Sequence, residues 1–348
     1  MKHPHRWPVN LLGLLVVAFT FLAVSCGPGE AGPRPQHATP ETPTTVPESP
    51  TPLATPSPPA PTEFRVAFIN LHSPLAAEAG NPLAGETFEV RLQLLVDELR
   101  SFDPDVVGFN EASWTEKYGS ATTYLARELK MEPVYARANP WFEGQTREQS
   151  DALVREAGFE EGELFLVRST RYTVLRADEP YALKPLSTES GERRIGLHVV
   201  LKGPKSLGEI DLYITHLTGG GERVVPAQAA DFAGWVVETR GRGPSLVMVG
   251  QSDPAVPPAY EVFRAIGLRD VFGGQDGVFT CCRAAVASEQ PPLTARTDYL
   301  MYDRWQSGSA TLFGDVPNTV NGNAIYLSDH NGIMAVFPIP PDRSGAVP

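Results

Sequence analysis

The chain has 348 residues, and 42% of them are apolar, enough to build a sizeable core, so the bulk of it is not a disordered chain. A formal net charge of -12 excludes overall charge as a source of attraction to nucleic acid or anionic lipid. A phosphate-bearing ligand would need local help, from a bound cation or from arginines at the site.

Residues 1–25 read as an export signal. Lys2 and Arg6 give a short basic start, and an apolar run follows from Leu11 to Val24, interrupted only by Gly13 and Thr20. That run is short for a membrane-spanning helix and suits the apolar region of a signal peptide. It ends in Leu22-Ala23-Val24-Ser25-Cys26, which resembles a bacterial lipobox with Ala23 where Leu is more usual. The resemblance implies that Cys26 becomes the lipidated first residue of the mature chain and holds it to the cell membrane. A plain secretory signal or a retained N-terminal anchor is the alternative. All three readings deliver the rest of the chain outside the cytoplasm.

Residues 26–62 are mostly Pro, Thr, Ser, Ala and Gly, with almost no large apolar side chain. Such a segment cannot bury enough surface to offset chain entropy, and its prolines stiffen it into an extended spacer. A domain follows over 63–340, with 341–348 as a tail. Residues 64–70 form a short apolar run with aromatic and β-branched side chains, which predicts a strand. Over 88–100, Val90, Leu94, Leu95 and Leu99 fall at helical spacing. The next strand covers 105–109 and ends at Asn110-Glu111. A helix is expected over 120–130, then strands over 164–167, 195–201 and 210–215. A long helix over 222–238 places Pro226 in its first turn. A buried strand over 245–250, a helix over 260–266 and strands over 298–302, 310–313 and 333–337 complete the pattern. Strands outnumber helices and both look buried, which favours packed sheets with helices outside.

Chemistry-bearing residues recur where these strands end: Asn70, Glu111, His216, Asp298, Asp329 and His330. Carboxylates, a carboxamide and imidazoles gathered on strand ends can bind a divalent ion and cleave a phosphate ester. The strings Phe68-Ile69-Asn70, Asp103-Pro104-Asp105-Val106-Val107-Gly108-Phe109-Asn110-Glu111, Tyr213-Ile214-Thr215-His216-Leu217, Arg296-Thr297-Asp298-Tyr299 and Ser328-Asp329-His330 occur in that order. Together they resemble the endonuclease/exonuclease/phosphatase (DNase I-like) superfamily. The resemblance spans essentially all of 64–338. Arg223, Gln228 and Phe279-Thr280-Cys281-Cys282 add secondary matches. It implies an α/β fold, a four-layer α/β/β/α sandwich of two mixed sheets.

The resemblance also implies roles. Glu111 and Asn70 form a metal platform, with Asp329 facing the ion or its water. Mg²⁺ is the expected ion, with Mn²⁺ as a substitute, because a hard cation takes a few carboxylate ligands and keeps the rest of its shell for water or phosphate. His330 does acid–base or transition-state work, Asp298 fixes its tautomer, and His216 is a second imidazole on the opposite side. The expected activity is that of an extracytoplasmic phosphodiesterase or phosphatase. DNA, RNA, a phospholipid head group and an inositol phosphate all stay open as substrates, and no protein partner is implied.

The chain departs from the family pattern at one place. Where Gly-Asp-x-Asn is usual, it reads Gly250-Gln251-Ser252-Asp253. A carboxamide at Gln251 can hold a water but cannot take its proton, and a carboxylate at Asp253 repels a phosphate unless protonated or metal-bound. Either Asp253 takes over as the base, or hydrolysis is impaired and the domain binds a phosphorylated or anionic ligand without turning it over. Arg296 reads as structural. Arg193-Arg194 reads as a solvated turn, with a phosphate clamp as the alternative. Cys281 and Cys282 are adjacent, so a disulfide between them departs from usual geometry and free thiols are an equal expectation; two adjacent thiols by themselves are not expected to make a zinc site.

Overall fold

In the computed structural model, the residues described are 61–74, 86–186, 191–218, 223–250, 258–306 and 308–342. The expected export signal with Cys26, nearly all of the linker, Gln251, Asp253 and most of the tail lie outside them. Five strands come first: Glu63–Asn70 (β1), Val106–Thr115 (β2), Gly119–Ser120 (β3), Glu132–Asn139 (β4) and Phe159–Val167 (β5). Between them lie the helices Phe88–Phe102 (α1), Ala121–Leu129 (α2) and Arg147–Ala157 (α3). The next seven strands are Thr173–Ala177 (β6), Tyr181–Ala182 (β7), Ile195–Lys202 (β8), Glu209–His216 (β9), Ser245–Gly250 (β10), Arg269–Asp270 (β11) and Tyr299–Asp303 (β12). Helices Val224–Thr239 (α4) and Pro258–Ala265 (α5) flank β10. The chain then returns through Ser309–Phe313 (β13), the hairpin Asn318–Val320 (β14) and Asn323–Ile325 (β15), and Gly332–Pro338 (β16).

Two seven-stranded sheets result. One runs β13-β16-β1-β2-β5-β4 with β3 beside β2, and the other runs β11-β12-β10-β9-β8-β6 with β7 beside β8. Each sheet is mixed: β1 and β2 are parallel, as are β9 and β10, and their other neighbours are antiparallel. Strand alternation builds the layers. Phe64, Val66 and Phe68 of β1 join Leu246 and Met248 of β10 in one core between the sheets. The alternate residues Ala67 and Ile69 pack on Leu92, Leu95 and Leu99 of α1 and Leu125 of α2. Val247 and Val249 pack on Phe232 and Val236 of α4 and Phe263 of α5. A central strand covered on both faces has no polar side to show, so these strands read as unbroken apolar runs. This is the expected four-layer α/β/β/α sandwich.

The sheets are stitched together where the parallel pairs end. Asn70 lies opposite Asn110, and His216 lies opposite Gly250. Asn110 reaches across to donate from Nδ2 to the Thr215 carbonyl at 3.3 Å. A Cβ on Gly250 would collide with Asn110 Oδ1, so glycine is what allows this approach. Gln228 ties α4 to the same end, accepting from Thr218 N at 2.8 Å and donating to the Pro185 carbonyl at 2.9 Å.

Strand β2 does not stop at Glu111. It continues to Thr115, and its pairing with β5 breaks register between Phe109 and Ala112. Glu111 itself adopts φ 55°, an unusual backbone for a non-glycine residue. The break is a bulge, which bends a strand and re-aims a side chain. Glu111 therefore projects from the middle of a strand rather than from a strand end.

Candidate active site

The structure brings Asn70, Glu111, His216, Asp298, Asp329 and His330 to the same end of the two sheets. Asn70 donates from Nδ2 to Glu111 Oε1 at 2.8 Å, and its Oδ1 accepts from His72 N at 2.8 Å. Glu111 Oε2 accepts from Ser73 N at 2.8 Å. The carboxamide of Asn70 is thus engaged on both sides, and it orients Glu111. Burial works against the Glu111 carboxylate, but His216, His72 and the Ser73 amide outweigh it and hold its pKa below the ordinary value.

Asp329 lies at the start of the turn before β16. His72 Nδ1 is 3.1 Å from Asp329 Oδ2, and the Ser328 hydroxyl is 3.2 Å from Oδ1. Burial opposes its ionisation, but His330 and His72 hold its pKa well below the carboxylate range. His330 donates from Nδ1 to Asp298 Oδ2 at 2.7 Å, and Thr297 Oγ1 donates to the same oxygen at 2.8 Å. Thr280 Oγ1 accepts from the backbone N–H groups of Thr297 and Asp298, both at 3.0 Å. Burial alone would lower the pKa of His330. The carboxylates of Asp298 and Asp329 outweigh burial and push it up to about 9, so the ring is an imidazolium at neutral pH.

His216 takes the opposite state. Burial first, and then the Arg194 charge, push its pKa down to about 3. Arg194 Nη1 is 3.4 Å from His216 Nδ1 and can only donate. That contact leaves Nδ1 as acceptor and puts the single ring proton on Nε2, which lies 3.9 Å from Glu111 Oε1. Two histidines of one cluster are therefore held in different protonation states by their neighbours. The solvated-turn reading of Arg194 is corrected: its side chain is 13% exposed and packs against a site imidazole.

Several contributors escaped the sequence reading. His72 sits two residues after Asn70, where only its proximity to a motif could have flagged it. Arg91 interrupts the apolar stripe of α1 and looks solvent-facing, yet it is 1% exposed. It donates to the carbonyls of Leu71 (2.8 Å), His72 (2.9 Å) and Leu327 (3.0 Å), clamping the loops that carry His72 and Asp329. Glu161 and Glu163 of β5 stand behind Glu111. Burial pushes both up to about 8, helped at Glu161 by the Glu111 charge, and Glu163 accepts from Asn110 Nδ2. Arg296 is structural as expected, bidentate on Asp270 at 2.6 and 2.7 Å and lying over the Phe272 and Tyr299 rings. The sulfurs of Cys281 and Cys282 are bonded to one another.

The donor set fits a divalent cation. Two carboxylates, Glu111 and Asp329, lie close enough for each other's charge to register. Among the described residues, the buried Nε2 atoms of His72 and His216 have no hydrogen-bond partner, a costly arrangement that an ion with its waters or a phosphate would relieve.

No family model matches the chain, and no curated protein resembles it in sequence. Solved structures do resemble it in fold. An endonuclease/exonuclease/phosphatase family protein from Bacteroides thetaiotaomicron is 15% identical, with a TM-score of 0.61 over 81% of this chain and 99% of that one. The mannosyl-6-phosphatase Bt3783 of the same organism is 15% identical, with a TM-score of 0.55 over 78% and 98%. The human Nocturnin catalytic domain with bound sulfate is 17% identical, with a TM-score of 0.54 over 80% and 94%. The fold is that of endonuclease/exonuclease/phosphatase (DNase I-like) proteins.

Proposed function

We propose that this protein is an extracytoplasmic phosphodiesterase or phosphatase that uses a divalent cation, Mg²⁺ or Mn²⁺, to hydrolyse a phosphate ester. The observation that carries this reading is the pairing, in one cluster, of a carboxylate platform with two histidines in complementary protonation states. That a sugar phosphatase shares the fold supports the class of reaction. Glu111 and Asp329 would hold the cation, with Asn70 and Ser73 fixing Glu111. When bound, the cation would polarise the phosphoryl group and neutralise its charge. His330, positively charged and oriented by Asp298, presents Nε2 as a donor to a phosphoryl oxygen or the leaving oxygen. His216 adds a neutral Nε2–H donor on the other side, its tautomer set by Arg194. Turnover of phosphodiester and phosphomonoester substrates across nucleic acid, phospholipid and inositol phosphate classes tests the reading, with Glu111→Ala as control. No cation-dependent turnover above that control on any class would remove it.

A second reading rests on Gln251 and Asp253, which deprive the site of the usual base. It makes the domain a holder of an anionic ligand. Under it, Gln251→Asp combined with Asp253→Asn raises activity; under the first, the same change lowers an existing activity. A lipid on Cys26, ahead of the proline-rich spacer, would keep the protein at the outer membrane face. Unchanged membrane association of a Cys26→Ser variant would exclude that anchor.

A further inference from the structure

We propose that Cys281, Cys282 and His330 form, once the two cysteines are reduced, a site for one thiophilic divalent cation such as Zn²⁺, which lies beside the carboxylate platform of Glu111 and Asp329, His330 Nε2 being 3.9 Å from Asp329 Oδ1, but shares none of its ligands. The two sulfurs and a ring nitrogen of His330 lie within 4.8 Å of one another, and Cys282 Sγ is 3.5 Å from His330 Nε2. Two thiolates and one imidazole are a zinc ligand set, with a fourth position left for water or an anion. Soft sulfur ligands also discriminate against the hard cations that Glu111 and Asp329 suit.

The framework for such a site is already rigid. Thr280 and Cys281 both donate from their backbone N–H groups to the Ala295 carbonyl, at 2.8 and 3.0 Å. Thr280 O accepts from Asn331 N at 2.8 Å, and Arg283 N donates to Asp329 O at 2.9 Å. The cysteines are therefore tied to the same strand ends that carry Asp298 and His330. Asp298 holds Nδ1 of His330, so Nε2 is the nitrogen left to ligate. A carboxylate behind a histidine in this way fixes the ring and strengthens it as a zinc ligand. Cys281 is buried while Cys282 is exposed, which gives a reductant and an ion a way in.

The chemistry balances with an external dithiol as reductant. Its two sulfurs form a disulfide, the Cys281–Cys282 bond breaks, and two thiols result. Zinc binding then releases the two thiol protons and the Nε2 proton to solvent. Nε2 is no longer free to face a phosphate, so the occupied site would switch hydrolysis off. That consequence rests on the function proposed above; the binding does not.

Co²⁺ absorption tests the binding itself. Protein reduced with dithiothreitol and desalted without oxygen should develop thiolate-to-Co²⁺ charge-transfer bands that saturate at one sulfur-bound Co²⁺ per chain and that Zn²⁺ abolishes. The oxidised protein should show none. His330→Asn and Cys282→Ser should each weaken binding by about tenfold or more, and Glu111→Ala should leave the bands unchanged. Absence of the bands after reduction, their presence in oxidised protein, or their persistence at full affinity in His330→Asn would overturn the proposal. If Cys282→Ser does not fold, the reduced and oxidised wild type still decide. A protein that binds Co²⁺ this way but hydrolyses nothing would overturn the proposed function and leave this site standing.

Discussion

His330 and Asp298 form a buried pair, 2.7 Å from Nδ1 to Oδ2, with both residues 1% exposed. The carboxylate serves two ends: it fixes which nitrogen carries the outward-facing proton, and it keeps the ring charged. Asp298→Asn keeps the shape and removes the charge. The pKa of His330 should then fall from about 9 toward its ordinary 6.5. The imidazolium is present below its pKa and lost as pH rises through it, so the alkaline limb of kcat/KM should move down in the same direction. At pH 8 the loss should be roughly 10²–10⁴-fold. An unmoved alkaline limb in the variant would show that His330 does not depend on Asp298.

Arg194 does the reverse for His216. Arg194→Met removes both the donor to Nδ1 and the positive charge that depresses the imidazole, so the pKa of His216 should rise from about 3. In the wild type, ¹⁵N shifts should show His216 neutral at pH 6 with its proton on Nε2. In the variant they should show a tautomer mixture. The kcat should fall by about 10–100-fold with KM less affected, since one donor to the phosphate is no longer held in place. An identical Nε2–H tautomer in both proteins would remove Arg194 from this role.

Glu163 gives a prediction on stability. Its pKa is raised from 4.5 to about 8 by burial. Between those pH values the folded protein keeps a proton that the unfolded chain has released, so this group's contribution to stability falls as pH rises through that window. Each unit of the shift is worth about 1.4 kcal/mol. Glu163→Gln cannot ionise, and its Oε1 still accepts from Asn110. The variant should melt within a degree or so of wild type at pH 4.5 and several degrees higher at pH 8.5. A difference in Tm that does not grow between those pH values would show that Glu163 is not buried as a neutral acid.

The sequence made the sandwich legible wherever a strand is covered on both faces, because burial on both sides forces a continuous apolar run. β1, β10 and β16 are of this kind. It failed where an element buries little. Helix α3 buries only Ser150, so it shows no apolar stripe, although Thr146 and Gln149 form a capping box that marks its start. Strand β4 carries Pro133, Arg137 and Asn139, and its first two residues are exposed. Within the site, the residues named by short motifs could be found. Arg91 and Glu163 could not, and Arg194 reads first as a solvated turn, because a charged side chain in a sequence looks solvated, and only the three-dimensional structure supplies the carbonyls, imidazole or amide that let it be buried. The bulge at Glu111 was hidden for a related reason: a strand that continues past a break reads like a strand that ends.

Hydrolysis by this site requires a cation seated at Glu111 and Asp329. Crystals of the reduced or oxidised protein soaked in Mn²⁺ and measured for anomalous scattering test that directly. One peak is expected about 2.0–2.3 Å from a Glu111 carboxylate oxygen, near Asp329, and it should be lost in Glu111→Gln. A Mn²⁺ peak elsewhere in the molecule with none at Glu111, or no peak at millimolar Mn²⁺, would contradict it.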